Sequence, residues 1–502
     1  MLSESNFNAD SLLELGFLTG HHGLERNSDG PFVWCRGHFR LHTPAAKFLG
    51  LKFAYLAPAG SMTIKRDGEL AGQIELRAGW QEVSFQLPAT AGWIDVFVEP
   101  VPAVAEDTRE LAVMLQAASF FDDETRYRLR TAALANDLLN DREFRNGEVV
   151  LSSHPPHLRI NTETRCNIPE TSQACAYCDW DQSKWEEKGS PPFRLEMLNE
   201  LGDFYQNATA VNDCSVGEPA MNRQFGDILL RLHQDGKPFS FTSNGQLLGE
   251  KRRRELLGKN VSVYVSLDSA SKAGFQRYRN DRFDQVIRNL RALCSEKKFH
   301  GNLPAVYISI LAMRSNRHEL AAFFDLVKEI DVDEVKFRSL AVSDDPPPAF
   351  KNNGFLFDYE AETLSMQELQ ELTPVIRQLA SSRNVKVYME WEEFERPEIH
   401  VEGEPLCAEP WKTLYVLNRG IMPCAFGKRP LANWNQQGNR KLDDFLRDVF
   451  NSDEYREIRT ELAAGRMPRY CRESLGCPVL KRMPADETGA EPVGAPISTP
   501  AK

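Results

Sequence analysis

HLRINTETRCNIPETSQACAYC, residues 157–178, is the stretch on which the fold of this chain turns. Its first seven residues, HLRINTE (157–163), have the length and boundaries of a strand. The loop that follows carries Cys166, Cys175 and Cys178 in a C-x8-C-x2-C spacing. Three thiols on one loop, with no fourth cysteine or histidine beside them, can hold a metal centre that keeps one coordination position open. A zinc site completed from elsewhere, or three ordinary buried cysteines, would use the same residues. Toward the C-terminus the strand grammar repeats in ATAVNDCSV (208–216), PFSFTSN (238–244), VSVYVSLD (261–268), AVYISILAM (305–313) and EVKFRSL (334–340). Helical periodicity at about 193–206, 221–235, 246–257, 282–297 and 316–329 separates them, which is the βαβ order of a parallel sheet. Six units are too few to close an eight-stranded barrel, so the expectation over 151–345 is α/β, a partial (β/α)6 barrel with its active groups at the C-terminal strand ends.

The flanks read differently. Residues 1–105 hold short apolar runs, Phe32 to Trp34, Leu51 to Ala57, Gln73 to Leu76 and Trp93 to Val98, between turn residues, and predict a β-sandwich-like accessory domain. Trp34, Trp80 and Trp93 are either its core or a sugar-stacking platform. Residues 106–150 read as a helical connector. SDDPPPAFKNNG (343–354) is a loop, and VKVYMEW (385–391) adds a strand within a linker region, 346–400. A small cysteine-containing domain is expected over 401–483, and a disordered tail rich in Pro, Gly and small residues over 484–502.

At 502 residues the chain has room for two or three domains, and 42% hydrophobic with 26% charged residues is ordinary globular composition. Sixty Lys and Arg against 72 Asp and Glu, a net charge of −12, argue against a protein built mainly to hold phosphate backbones or anionic lipid. No run reaches the length of a membrane span, and the opening MLSESNFNAD lacks the regions of a signal peptide, so a cytoplasmic location is expected. Ten cysteines in such a chain point to metal or catalysis before disulfides.

The strand ends carry a resemblance. SVGEP (215–219), TSNGQLL (242–248), VSLDS (265–269) and YRN (278–280) follow the three-cysteine loop in order, and the whole resembles the radical S-adenosylmethionine enzymes over about 155–340. The family spacing is C-x3-C-x2-C; this chain keeps the second half, with Tyr177 before the last cysteine, and inserts five residues in the first. The resemblance implies a [4Fe-4S] cluster on Cys166, Cys175 and Cys178, with S-adenosylmethionine at its open iron. It further implies an ammonium site at backbone near Gly217 and the Glu218 carboxylate, a TNG-like end at Ser243 and Asn244, and ribose contacts from Ser266 and Asp268. Arg279 would pair with the methionine carboxylate, and Asn316 fits the pattern, with an N-cap as its simpler reading.

A second resemblance lies in PLCAEPWKTLYVLNRGIMPCAFG (405–427) and NSDEYREIRTELAAGRMPRYCRESLGC (451–477), which look like a SPASM or twitch extension. Cys407, Cys424, Cys471 and Cys477 supply enough thiolates for one auxiliary [4Fe-4S] cluster, or for one structural zinc. The family chemistry is reductive cleavage of the cofactor to a 5′-deoxyadenosyl radical that takes hydrogen from a C–H bond, giving oxidation or epimerisation. A flavodoxin or ferredoxin would be the electron donor, and the substrate a small molecule, a glycan or a peptide. An epimerase needs a hydrogen-atom donor, for which Cys214, near a strand end, is the better of the spare thiols Cys214 and Cys294; both also read as inert buried cysteines. The strand-rich N-terminal region inclines the reading toward a carbohydrate-containing or other small substrate. The alternatives are a peptide-modifying maturase and a non-enzymatic zinc protein.

Overall fold

The computed structural model describes residues 5–14, 16–27, 30–88, 90–101, 109–168, 175–177, 192–215, 217–340, 350–352, 355–395, 404–427, 429–474, 477 and 479–480. Two compact units emerge, Met1–Ala135 with Gln234–Gly236, and Asn136–His233 with Lys237–Lys502. The expected tail, 484–502, and Cys178 lie outside the described residues.

The first unit is antiparallel. Its strands are β1 (Ser5–Asn8), β2 (Leu18–Asn27), β3 (Gly30–Thr43), β4 (Phe48–Arg66), β5 (Glu69–Gln86), β6 (Gly92–Glu99) and β7 (Val113–Phe121). β4 and β5 meet at Asp67-Gly68, both with positive φ (51° and 85°), the backbone that an Asp-Gly hairpin turn requires. Strand β3 pairs with β7 through residues 33–35 and with β6 through 38–43, while β4 pairs with β7 through 48–55 and with β6 through 61–65. β3, β6, β4 and β7 therefore close a ring, so the expected sandwich is corrected to one rolled sheet. Register shifts in β4 at Lys52/Phe53 and Tyr55/Ala59 bend it enough to serve two neighbours, which short apolar runs do not reveal. The interior is filled by Phe39, Leu41, Leu49, Leu51, Phe53, Ile64 and Val96. Trp34 belongs to a buried cluster with Phe32 and Leu111, the core role; Trp93 is half-buried between His42 and the Arg40 guanidinium. The stretch expected as a helical connector contains β7 before the helix Glu124–Arg145. A short run apolar on every side has no period that separates a buried strand from a buried helix.

The second unit follows the βαβ reading closely. β8 (His157–Ile160), β9 (Ala210–Asp213), β10 (Phe239–Ser243), β11 (Val261–Ser266), β12 (Ala305–Ala312) and β13 (Glu334–Ser339) lie side by side in chain order, all parallel. The helices Phe225–Gln234, Glu250–Leu256, Phe283–Lys297 and Leu320–Ile330 run between successive strands. After the hairpin β14 (Phe350–Asn352) and β15 (Phe355–Phe357), helix Met366–Arg383 leads to β16 (Val387–Met389), which adds to β13 in parallel as expected. Ser365 caps that helix in a reciprocal box with Glu368. At the other edge β17 (Thr413–Leu417) pairs in parallel with β8, and β18 (Gly420–Met422) folds back on it. The C-terminal region thus contributes β17 and β18 to the same nine-stranded sheet.

Alternation assigns the two faces. Val261, Val263 and Val265 of β11 and Val306, Ile308 and Ile310 of β12 pack with Leu290, Leu293, Phe323 and Phe324 of the helices. Their neighbours Ser262, Tyr264, Ser266, Tyr307 and Ser309 face the opposite way, as do Arg159 on β8 and Lys336 and Arg338 on β13. Among the described residues no helix is long and apolar enough to cross a membrane.

Candidate active site

The loops after β8, β9, β10 and β11 are tied together by buried polar groups. Glu163 accepts from the backbone N–H groups of Thr164 (3.0 Å) and Arg165 (3.1 Å), turning the chain out of β8. Asp213, at the end of β9, accepts from Thr162 N (2.9 Å), Thr162 Oγ1 (2.6 Å) and Ser215 Oγ (2.6 Å), and burial raises its pKa. Gly217 comes so close to the first loop that a Cβ there would meet Arg165 O at 2.3 Å and Thr164 C at 2.6 Å. Glu218 N donates to the same Arg165 oxygen at 2.8 Å. The Gly-Glu pair therefore seats the β9 loop directly against the residue before Cys166.

The Glu218 carboxylate is buried and already engaged. Oε1 accepts from Ser243 Oγ (2.8 Å) and Ala220 N (3.3 Å), and Oε2 from Asn244 N (2.7 Å). Burial pushes its pKa up to about 7, against the opposing pull of these hydrogen bonds. Asn244 continues the web: its Nδ2 donates to Asn167 Oδ1 (2.8 Å) and reaches Cys166 Sγ at 3.9 Å, while Asn167 Nδ2 donates to Gln246 Oε1 (3.0 Å). Ser243 and Asn244 thus hold Glu218 and the first cysteine loop in register with β10.

On the other side, Asp268 at the end of β11 accepts from Tyr177 OH, Arg279 Nε (2.9 Å) and Leu311 N (3.0 Å). Arg279 Nη1 reaches Cys175 Sγ at 3.9 Å, and its guanidinium lies 5.5 Å from the Tyr177 ring centre. Burial raises the Tyr177 phenol well above its ordinary pKa. Asn316 carries no N-cap hydrogen bond; its amide accepts from Met313 N (3.0 Å) and donates to Asp268 O (3.0 Å) and Leu311 O (2.8 Å). Its role is to join the ends of β11 and β12. Ser266 is half-buried at the end of β11. Half-buried Cys166 and Cys175 are therefore brought to the C-terminal ends of β10 and β11, one against Asn244 and the other against Arg279.

Whether this mouth suits an iron-sulfur cluster with S-adenosylmethionine is a question of donors. Two thiols from the C-x8-C-x2-C loop are in place, and Gln246 Nε2 and Asn280 Nδ2 are buried donors without a partner among the described residues. Glu218 Oε2 and Asp268 Oδ1 each take one protein donor and keep lone-pair capacity for a ligand. Arg279, expected at a carboxylate, is already paired with Asp268.

The C-terminal cysteines converge as well. Cys407, Cys424, Cys471 and Cys477 lie within electrostatic range of one another, and burial raises the first three thiols, Cys424 to about 11 and Cys407 to about 12. Cys214 sits nearby, packed with Tyr415, Leu417 and Met422, its N–H on Ile160 O at 2.7 Å. Burial pushes its thiol up to about 12, so it keeps its S–H hydrogen at neutral pH. Cys294 is fully buried in the helical core.

The sheet's inner face is polar, and reading by strand ends missed it. Tyr264 and Tyr307 stack at 4.8 Å, and Lys336 Nζ lies over Tyr307 (5.2 Å) and Tyr388 (4.6 Å) while pairing with Glu334 at 2.8 Å. Tyr415 OH donates to Glu409 at 3.3 Å, and Arg159 is close enough to lower the pKa of Glu409, which burial raises. The signal was present in HLRI, VSVYVS and EVKFRS, where polar residues alternate in strands expected to be covered on both faces.

No family model and no curated protein sequence matches the chain. Among solved structures, Streptococcus suis SuiB is similar over 68% of this chain and 74% of its own, at 16% identity and a TM-score of 0.47. SuiB bound to the precursor peptide SuiA is similar over 70% and 78%, at 16% identity and a TM-score of 0.47. AnSMEcpe with bound AdoMet and the Cp18Cys peptide is similar over 60% and 82%, at 17% identity and a TM-score of 0.43.

Proposed function

We propose that the chain is a radical S-adenosylmethionine enzyme that resembles its superfamily in the order of its strand-end motifs and acts on a polar substrate held on the inner face of the sheet. The observation that carries this reading is the delivery of Cys166 and Cys175 from one loop to the ends of β10 and β11, against Asn244 and Arg279. Cys166, Cys175 and Cys178 would hold a [4Fe-4S] cluster, and Cys407, Cys424, Cys471 and Cys477 one auxiliary cluster. When bound, the first cluster and S-adenosylmethionine would supply a 5′-deoxyadenosyl radical able to take hydrogen from an unactivated C–H bond. Glu218 Oε2 would accept from the cofactor's ammonium, and Asp268 and half-buried Ser266 would bind its ribose hydroxyls. Arg279 acts first on the protein, locking Tyr177, Asp268 and Cys175 together. Cys214, just past β9 and packed with Tyr415, Leu417 and Met422, keeps its S–H hydrogen and would be the hydrogen-atom donor of an epimerase; an auxiliary cluster would instead favour net oxidation. The electron donor would be a flavodoxin or ferredoxin.

The test is anaerobic reconstitution with iron and sulfide, followed by S-adenosylmethionine and dithionite and detection of 5′-deoxyadenosine by mass spectrometry. About eight irons per chain, two cubanes, with formation of 5′-deoxyadenosine is expected. Replacing Cys166, Cys175 and Cys178 by Ala should end cleavage and leave the visible spectrum of the auxiliary cluster. Cleavage by that triple variant, or zinc in place of iron, would overturn the assignment.

A further inference from the structure

Two N–H donors come to rest on the sulfurs of the cysteine mouth. Asn244 Nδ2 lies 3.9 Å from Cys166 Sγ, and Arg279 Nη1 lies 3.9 Å from Cys175 Sγ. Sulfur is a large, weak acceptor as a thiol; as a metal-bound thiolate it carries negative charge and holds the same donors more strongly. Asn244 is 7% and Arg279 6% exposed, so each donor acts in a medium that screens it weakly.

Both side chains would stay anchored without the sulfurs. Asn244 N donates to Glu218 Oε2 (2.7 Å), and its Oδ1 accepts from Gln246 N (3.0 Å). One Nδ2 hydrogen goes to Asn167 Oδ1 at 2.8 Å, which leaves the second for Cys166. Arg279 Nε donates to Asp268 Oδ2 (2.9 Å), and the other oxygen of Asp268 is fixed by Leu311 N (3.0 Å). A guanidinium fork held at Nε in this way turns Nη1 toward Cys175.

Reducing an iron-sulfur cluster adds negative charge that its sulfurs share, and N–H donors aimed at those sulfurs stabilise the reduced form. We infer that Asn244 and Arg279 are positioning residues for electron entry, whose N–H groups at Cys166 and Cys175 raise the reduction potential of the cluster these cysteines would hold. This role rests on the radical-enzyme reading and adds to it the means by which the mouth is made reducible by a flavodoxin or ferredoxin. Asp268 offsets the charge of Arg279, so the directed N–H groups carry the effect more than net charge does.

The experiment is a potentiometric titration of the reconstituted full-length protein, followed by electron paramagnetic resonance. The signal absent from Cys166→Ala/Cys175→Ala identifies the cluster concerned. Asn244→Ala changes no charge and should lower the one-electron reduction constant about tenfold, a shift of about 59 mV to more negative potential. Asn244→Ser is the second variant: its hydroxyl can still accept from Gln246 N but is too short to reach the sulfur, and the same direction is expected. Arg279→Gln should lower the constant at least as far. Asn289→Ala is the control, since Asn289 braces the same loop through Gly245 O (2.9 Å) and Gln246 O (3.0 Å) and reaches neither sulfur. Its constant should stay within about twofold of the parent. A constant unchanged or raised in both Asn244 variants overturns the inference whatever Arg279→Gln does, because that substitution also removes a charge. An equal fall in Asn289→Ala overturns it as well, by tracing the effect to a loosened loop. If no signal depends on Cys166 and Cys175, the radical-enzyme reading falls and this role with it; if that signal is present and its potential does not move, only this role falls.

Discussion

Replacing Gly217 by Ala tests the architecture of the cysteine mouth at its tightest point. The new methyl would lie 2.3 Å from Arg165 O and 2.6 Å from Thr164 C, and both obstacles are backbone that cannot swing away like the end of a side chain. Relief requires the β9 loop to retreat by about 1 Å, which stretches the 2.8 Å bond from Glu218 N to Arg165 O. Overpacking of a tight site costs about 1–3 kcal/mol and a lost buried hydrogen bond about 1 kcal/mol. A total of about 2–4 kcal/mol is expected, and with about 2.1 cal/mol/K of unfolding entropy per residue that is a fall in melting temperature of roughly 1–2 °C for each kcal/mol in a unit of this size. Function should suffer more than stability, because Arg165 is the residue before Cys166 and Glu218 is the link to Ser243 and Asn244. Calorimetric melting and iron content after reconstitution are the assays. Gly249→Ala is the control: a Cβ there meets nothing within 4 Å, and the helix N-terminal position should cost less than about 1 kcal/mol. A Gly217→Ala protein that melts within a degree of the parent and binds full iron would refute the close approach on which the site is built.

Glu218→Gln should change how stability depends on pH. The folded carboxyl, raised to about 7 from 4.5 by burial, holds a proton that the unfolded chain has released, so its contribution is fully present below pH 4.5 and is lost as pH rises through 7. The fall is worth about 3 kcal/mol, and melting curves from pH 4.5 to 8 should show it in the parent and lose it in the variant; equal slopes would mean that Glu218 titrates normally. Asn316→Ala removes an amide with three buried hydrogen bonds joining β11 to β12 and should destabilise by about 2–4 kcal/mol, with loss below 1 kcal/mol counting against those bonds. Cys424→Ala should lower reconstituted iron from about eight to about four per chain while 5′-deoxyadenosine still forms, whereas Cys294→Ala, in the helical core, should leave iron unchanged.

The parallel array β8 to β13 was legible because two periods agree: apolar alternation over each strand, then a helical stripe that packs on the same side. The strand-end motifs were legible for the related reason that βα loops put their polar residues at one end of such a sheet. What those residues bond to was not legible. The oxygens of Glu218 are met by Ser243 and Asn244, 25 and 26 residues away, and Asp268 by Leu311, 43 residues away. No local pattern encodes such pairs, so carboxylates that read as open ligands proved to be joints as well. The ring of β3, β6, β4 and β7 was hidden for a different cause, since closure depends on bulges in β4 that decide which half meets which neighbour.

The polar inner face of the sheet poses the more instructive case, because its residues were visible and were not read. In a parallel sheet packed by helices on one side and by its own layered core on the other, strands run apolar at nearly every position. HLRI, VSVYVS and EVKFRS do not; every second residue is polar. Such alternation means that one face of the sheet has no apolar partner to pack against. A face of this kind stays polar, and its charges are matched within it, as Lys336 is by Glu334. The pattern that identifies a solvent-facing sheet in an antiparallel protein therefore marks, within this βαβ array, the face on which the proposed substrate would lie.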